Sequence, residues 1–326
     1  MTLFYPLLFT PKLKNYVWGG RNLERLYGRE LPDGITAESW EIAGHEDGTT
    51  RVSNGPYAGV WLTELQAEWG LDLIGTQARW AYERGKFPLL IKLLDAQENL
   101  SVQVHPDDAY ALAHEGNELG KTEMWVVLHA EPDAAVILGV KSGTTPEQFR
   151  QAIAEDRPEP FLHRLPVQAG DVVCVPAGSL HAILGGLVLA EIQQNSNTTY
   201  RVYDWGRPRP LHIEKALQVI NFEQVAPVLT RPQPTSHAPG ISKATLCQNR
   251  YFITERLEMA AGARYEGECR GRTLEIWGTI SGAAVVTGGG QTVSLPAIQF
   301  TLLPAQLGDY TITATHSTTL LRTYLP

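Results

Sequence analysis

Residues 170–181 read Gly170-Asp171-Val172-Val173-Cys174-Val175-Pro176-Ala177-Gly178-Ser179-Leu180-His181. The β-branched run ending at Val175 predicts a strand, Pro176 and Gly178 predict a turn, and His181 opens a second strand. Upstream, Leu100-Ser101-Val102-Gln103-Val104-His105 alternates apolar and polar residues. A strand's period of two places Ser101, Gln103 and His105 on one face. Glu123 opens a third strand-like run, Glu123-Met124-Trp125-Val126-Val127-Leu128, directly after Gly120-Lys121-Thr122. One amide, one carboxylate and two imidazoles on three predicted strands form an N₂O₂ donor set without thiolate. Such a set suits Zn²⁺ with one open position, the arrangement of a catalytic ion, and leaves Fe, Mn, Co and Ni open. A lone histidine reads more readily as a satisfied core residue; two of them beside Gln103 and Glu123 do not.

The 170–181 stretch resembles the second cupin motif: glycine, five residues, proline, one residue, glycine, two residues, histidine. Every one of those positions matches, although the asparagine of that motif is replaced by Gly185. The first cupin motif is matched more loosely. Gln103 stands for the first histidine of its His-x-His pair, and Glu123 comes late, a delay that a helix inserted at about 107–119 explains. The resemblance implies a mainly β fold, a jelly-roll barrel with peripheral helices. Further strands are expected at 87–94, 124–129 and 187–193. Helices are expected where Leu62, Leu65, Trp69 and Leu73 repeat at i+3 and i+4, after Asp107-Asp108, from Thr145-Pro146-Glu147-Gln148 onward, and over 212–220.

Pro227, Pro232, Pro234 and Pro239 fall in 226–240 with no periodicity, which reads as a linker. It divides a metal-binding cupin domain at 1–225 from a small all-β, cupin-like domain at 241–326. In the latter, short runs at 283–286, 291–295, 300–303 and 310–314 read as closely spaced strands. Gly288-Gly289-Gly290 there lacks the Lys-Ser/Thr of a phosphate loop and reads as a hairpin turn.

The 326 residues carry 27 Lys+Arg against 35 Asp+Glu, a net charge of −8, which disfavours nucleic acid as a partner. No apolar run approaches the roughly 18 residues that span a bilayer, so no membrane partner is expected. Residues 1–9 lack a basic leader and a cleavage site and read as a first strand, making the cytoplasm the expected compartment. Cys174, Cys247 and Cys269 show no C-x-x-C spacing, against a disulfide framework or a thiolate zinc site. Cys174, between Val173 and Val175, reads as a buried strand residue.

Longer strings extend the resemblance. Leu13-Lys14-Asn15-Tyr16-Val17-Trp18-Gly19-Gly20, Glu38-Ser39-Trp40-Glu41-Ile42-Ala43-Gly44-His45, Pro88-Leu89-Leu90-Ile91-Lys92-Leu93-Leu94-Asp95-Ala96, Gln103-Val104-His105-Pro106-Asp107-Asp108 and Thr199-Tyr200-Arg201-Val202-Tyr203-Asp204 together resemble the type I mannose-6-phosphate isomerases in their short bacterial form. That resemblance implies interconversion of D-mannose 6-phosphate and D-fructose 6-phosphate through a cis-enediol. It implies one Zn²⁺ per chain on Gln103, His105, Glu123 and His181, with Arg201 as the catalytic arginine. Glu191, ten residues after His181, matches a candidate base, with orientation of a ligand histidine as its other reading and His45 as a competitor. Lys92, Ser101 and Lys121 are the candidates for binding the phosphate, and Trp18 for lining the pocket. An iron or manganese cupin oxygenase, which prefers the His-x-His pair that Gln103 breaks, and a non-catalytic sugar-phosphate-binding protein remain the alternatives. The sequence leaves monomer and homodimer equally open.

Overall fold

Alternating apolar positions organise most of the chain into antiparallel sheets, described by a computed structural model over residues 3–225, 227–229 and 231–326. Contact density separates two compact units: Leu13–Ser39 with Lys92–Thr230, and Met1–Lys12 with Trp40–Ile91 and Arg231–Pro326. Both units are therefore discontinuous in the chain. Proline punctuation at 226–240 marks only one of their junctions, because the others run through regular structure and carry no sequence break.

Two sheets hold the candidate site. One has the strand order Leu162–Pro166, Ala135–Val140, His181–Ile183, Val102–Val104, Tyr200–Tyr203. The other runs Val172–Val175, Glu123–Ala130, Leu187–Gln194, Leu89–Ala96, Glu38–Ile42, Lys12–Lys14. Between them Trp125, Val127, Val173, Leu187 and Leu189 pack on Val136, Leu138 and Ile183. Full burial of each such aliphatic side chain contributes about 1.5–3 kcal/mol. On the outer face of the first sheet, Val102, Val104, Ile137 and Ala182 pack on Phe149, Ile153 and Ala216 from the helices Pro146–Ala154 and Ile213–Val219. The result is the mainly β, two-sheet arrangement of a cupin barrel with peripheral helices.

The helix Asp108–His114 fills the interval between His105 and Glu123, with the Asp107 carboxylate accepting the Tyr110 N–H at 2.8 Å. Thr145 and Gln148 close a reciprocal capping box on Pro146–Ala154. Leu62–Trp69 and Leu71–Ile74 are helical as their spacing predicts.

In the other unit a six-stranded sheet, from Thr235–Ala238 to Phe300–Leu303, and a four-stranded one enclose Leu257, Trp277, Val286, Leu295, Ile312 and Leu320. The turn at Gly289-Gly290 joins Ala283–Gly288 to Gln291–Pro296 as a hairpin, both glycines having positive φ.

Three expectations change. The 226–240 segment is not all linker: Thr235–Ala238, which contains no proline and is flanked by Pro234 and Pro239, pairs with Ile241–Gln248 at the sheet edge, while Ala226 and Thr230 lie outside the described residues. The first strand is Phe9–Thr10, paired with Arg51–Val52, and Met1 and Thr2 lie outside the described residues. Cys174 is half-buried, because its strand parity turns it away from the face carrying Val173 and Val175. No described helix is long and apolar enough to cross a membrane.

Candidate active site

Strand register assembles the site. Gln103 is the partner of His181 on one side and of Arg201 on the other, so the three form a row across adjacent strands. Val102 and Val104 take the outer face, and the pleat therefore turns Gln103 inward. In the second sheet Glu123 is opposite Gln193, and Glu191 is opposite Trp125. These share the parity of the core residues Val127, Leu187 and Leu189, so the carboxylates face inward too.

His181 Nε2 lies 3.3 Å from Glu123 Oε1 and 3.3 Å from the Gln103 amide nitrogen, while His105 Nε2 lies 3.6 Å from Glu123 Oε2. His105, Glu123 and His181 are each about 1% exposed, and their ligand atoms all lie within 4.8 Å of one another. The opposite ring nitrogens are fixed by the backbone: His105 Nδ1 is 2.8 Å from the Thr198 carbonyl and His181 Nδ1 is 2.9 Å from the Ser179 carbonyl. A carbonyl only accepts, so both Nδ1 atoms carry the proton and both Nε2 lone pairs face the centre. Neutrality is enforced as well. Burial, together with the Lys121 cation, holds His181 down at about 4 and His105 well below its ordinary value. Burial pushes Glu123 up to about 7 despite Lys121.

Lys121 Nζ sits 2.9 Å from Glu123 Oε2 and 3.1 Å from His105 Nε2. A cation is thus already drawn to these donors, which suits them to a divalent ion. The Ser101 hydroxyl donates to Gln103 Oε1 at 3.2 Å, so the amide presents Nε2 to the centre; ligation through oxygen calls for a half-turn of that amide.

Beside this cluster a pocket of about 300 Å³ is lined by Lys92, Glu191, Arg201, Ser101, Trp18 and their neighbours. Lys92 Nζ lies 3.3 Å from Glu191 Oε1 and 3.7 Å from Glu38 Oε2. Trp125 Nε1 donates to Glu191 Oε2 at 3.1 Å. Burial works against the Glu191 charge, but Lys92 and Lys121 outweigh it and hold the carboxyl below its usual range. Arg201 donates from Nη1 to the Pro210 carbonyl at 2.8 Å and keeps a buried Nε without a partner. Burial, Arg209 and Arg207 all lower its guanidinium. Trp18 is buried and stacks on Tyr16 at 5.7 Å.

All ten candidates from the sequence therefore belong to this cluster or its pocket: eight line the pocket, and His105 and His181 join it through Glu123 and Gln103. His45 does not. It belongs to the other unit, packs edge-on to Trp40 at 6.2 Å and accepts the Asp47 N–H on Nδ1. Tyr16, Glu38, Asn197, Thr199 and Arg209 also line the pocket and were not anticipated. Tyr16 lies at the turn that carries Trp18, and Asn197 and Thr199 lie in the irregular stretch before Tyr200–Tyr203, so only their nearness to Trp18 and Arg201 in the chain pointed to them. Arg209 lies in an irregular segment and had no such signal.

Residues 7–121 match the family model of the phosphomannose isomerase type I catalytic domain. A probable mannose-6-phosphate isomerase of Bacillus subtilis is 37% identical over 95% of this chain and 97% of its own length. A mannose-6-phosphate isomerase of Streptococcus mutans is 36% identical over 96% of this chain and 98% of its own. The crystal structure of a mannose 6-phosphate isomerase from Bacillus subtilis superposes with a TM-score of 0.85 at 34% identity, covering 98% of this chain and 99% of that one. Identity at this level along nearly the whole length, with the fold that accompanies it, means that the chain belongs to the type I phosphomannose isomerase family.

Proposed function

We propose that this chain is a zinc-dependent enzyme that interconverts D-mannose 6-phosphate and D-fructose 6-phosphate through a cis-enediol. The observation that carries the reading is the convergence of two Nε2 lone pairs and the Glu123 carboxylate beside a pocket holding Glu191 and Arg201. Gln103, His105, Glu123 and His181 would hold one Zn²⁺, with Lys121 displaced from Glu123. When bound, the ion supplies Lewis acidity that polarises the sugar oxygens.

The residues of the chain account for the rest. In the open-chain aldose, Glu191 takes the C2 proton as the C1 carbonyl gains electron density, and it returns that proton to C1 as the C2 carbonyl forms. The hydroxyl proton passes from O2 to O1. Lys92 keeps the Glu191 carboxylate ionised, and Trp125 fixes one of its oxygens, so the base starts charged and aimed. Arg201 offers its unpartnered Nε to the negative charge that develops on O1 and O2. Trp18 and Tyr16 supply an apolar wall for the sugar.

The test is interconversion of the two sugar phosphates by purified protein, before and after chelation and after Zn²⁺ is restored. Turnover that disappears on chelation and returns with zinc is the expected result. Stoichiometric zinc without turnover would make the chain a sugar-phosphate-binding protein, and activity indifferent to chelation would remove the ion from the reaction.

A further inference from the structure

Both lysines near the centre are engaged with carboxylates: Lys92 with Glu191 and Glu38, and Lys121 with Glu123. Positive charge available to a phosphate lies elsewhere in the pocket, where Arg201 and Arg209 line the same cavity as Thr199. Arg209 is held from behind. The buried Asp204 carboxylate, 3% exposed, accepts Arg209 Nε at 2.6 Å on Oδ2 and Arg209 Nη2 at 2.7 Å on Oδ1. Oδ1 also accepts Arg207 Nη2 at 2.9 Å. This bidentate grip leaves Arg209 Nη1 with no hydrogen bond among the described residues and the side chain 31% exposed. Arg207 is in turn tied to the Asn99 carbonyl at 2.6 Å and does not line the pocket.

The backbone between these residues is strained to make the grip. Trp205 adopts φ 55°, a left-handed conformation costly for a bulky residue, and its Nε1 donates to the Leu100 carbonyl at 2.7 Å. Three guanidiniums, Arg201, Arg207 and Arg209, face one carboxylate, Asp204, in a nine-residue stretch of a protein whose net charge is −8. The excess positive charge is local, and two of its three guanidiniums, Arg201 and Arg209, line the pocket.

We infer that Arg209 is the phosphate-binding side chain of this pocket and that Asp204 is its positioning residue. The inference rests on the proposed isomerase reading and deepens it by assigning the end of the pocket that receives the phosphate. Of the sequence candidates, Lys92 then serves Glu191 and Glu38 and not the phosphate, and Lys121 pairs with Glu123 in the metal-free protein.

The experiment compares wild type with R209A, R209K and D204N, measuring inorganic phosphate binding by calorimetry, phosphate as a competitive inhibitor, and KM and kcat for mannose 6-phosphate. Loss of one charge-assisted contact weakens inorganic phosphate about tenfold or more in R209A. The loss falls on KM and on phosphate affinity more than on kcat. R209K recovers part of it, lacking the forked geometry, and D204N shifts phosphate affinity in the same direction while the guanidinium remains. A thermal melt of each variant separates these effects from unfolding, with R209K as the conservative control. R209A that folds and binds inorganic phosphate like wild type overturns the assignment, as does a loss confined to kcat. Absence of wild-type turnover would instead overturn the isomerase reading, with calorimetry still deciding the role of Arg209.

Discussion

Lys92 Nζ lies 3.3 Å from Glu191 Oε1, and both side chains are at most 4% exposed. Two charges this deeply buried stabilise one another only as a pair, because neither finds water. Glu38 at 3.7 Å adds a second carboxylate to the same ammonium, and the three together keep the Lys92 proton in place and the Glu191 proton off.

Lys92→Met is therefore expected to cost about 3–5 kcal/mol of stability, the usual consequence of stripping a buried charge of its partner. It also changes the titration of the base. Burial alone raises Glu191, and Lys92 is the leading influence that lowers it. Without Lys92 the carboxyl protonates at higher pH, so the acid limb of the kcat/KM profile moves upward. Denaturant unfolding and a pH profile check both effects; an unshifted acid limb would separate Glu191 from the proton transfer.

Arg201→Ala removes the one guanidinium that pairs in register with Gln103 and keeps a buried Nε unpartnered. The expected loss is on the order of 10²–10³ in kcat, the range for deleting one donor to a developing oxyanion. Arg201→Lys is expected to recover little, because an ammonium does not reproduce the fork that also binds the Pro210 carbonyl. Steady-state kinetics of both variants decide the point.

Much of this was legible in the sequence, for a physical reason. A strand's period of two put Ser101, Gln103 and His105 on one face from the chain alone, Glu123 could be read as the start of another strand, and the Pro176–Gly178 turn placed His181 at the start of the next one. Partnership across strands was not legible. That His181, Gln103 and Arg201 form one row depends on which strands pair, and Lys92, Glu38 and Glu191 meet only through pairing of segments far apart in the chain. Arg209 was invisible for another reason: its direction is set by a carboxylate five residues earlier and by a strained Trp205, not by any repeating pattern. The grouping of Trp40–Ile91 with the C-terminal strands was equally beyond local reading.

Gly289→Ala tests the hairpin. At φ 55° a side chain is strained, and an added Cβ would fall 1.8 Å from the Phe4 carbonyl oxygen. The atoms in the way are the Phe4 backbone and not the end of a flexible side chain, so a loss of about 1–3 kcal/mol is expected. Gly290→Ala, with φ 74° but nothing within 4 Å, keeps the strain without the clash and is expected to lose less. Comparison of the two melting curves isolates the close approach.

Ion uptake should be governed by Glu123 and not by the histidines. In the metal-free protein both imidazoles are already neutral near pH 7, His181 being held at about 4, whereas Glu123 is pushed up to about 7. Ligation requires the carboxylate ionised and the imidazoles unprotonated. Binding near pH 7 therefore releases at most about one proton, and affinity falls about tenfold per pH unit below that point. Stability of the metal-free form takes its sign from the same groups. For His105 and His181 the unfolded chain binds more protons below its ordinary 6.5, so each costs stability as the pH falls from there toward its lowered value. Glu123, raised from 4.5, contributes oppositely over 4.5 to about 7. Two imidazoles outweigh one carboxyl, and the metal-free protein is expected to weaken as the pH drops below 6.5. Competition with a chromophoric chelator across that range, with proton release measured in two buffers, reads the uptake directly. Release that persists unchanged in Glu123→Gln would remove this carboxylate from the ligand set.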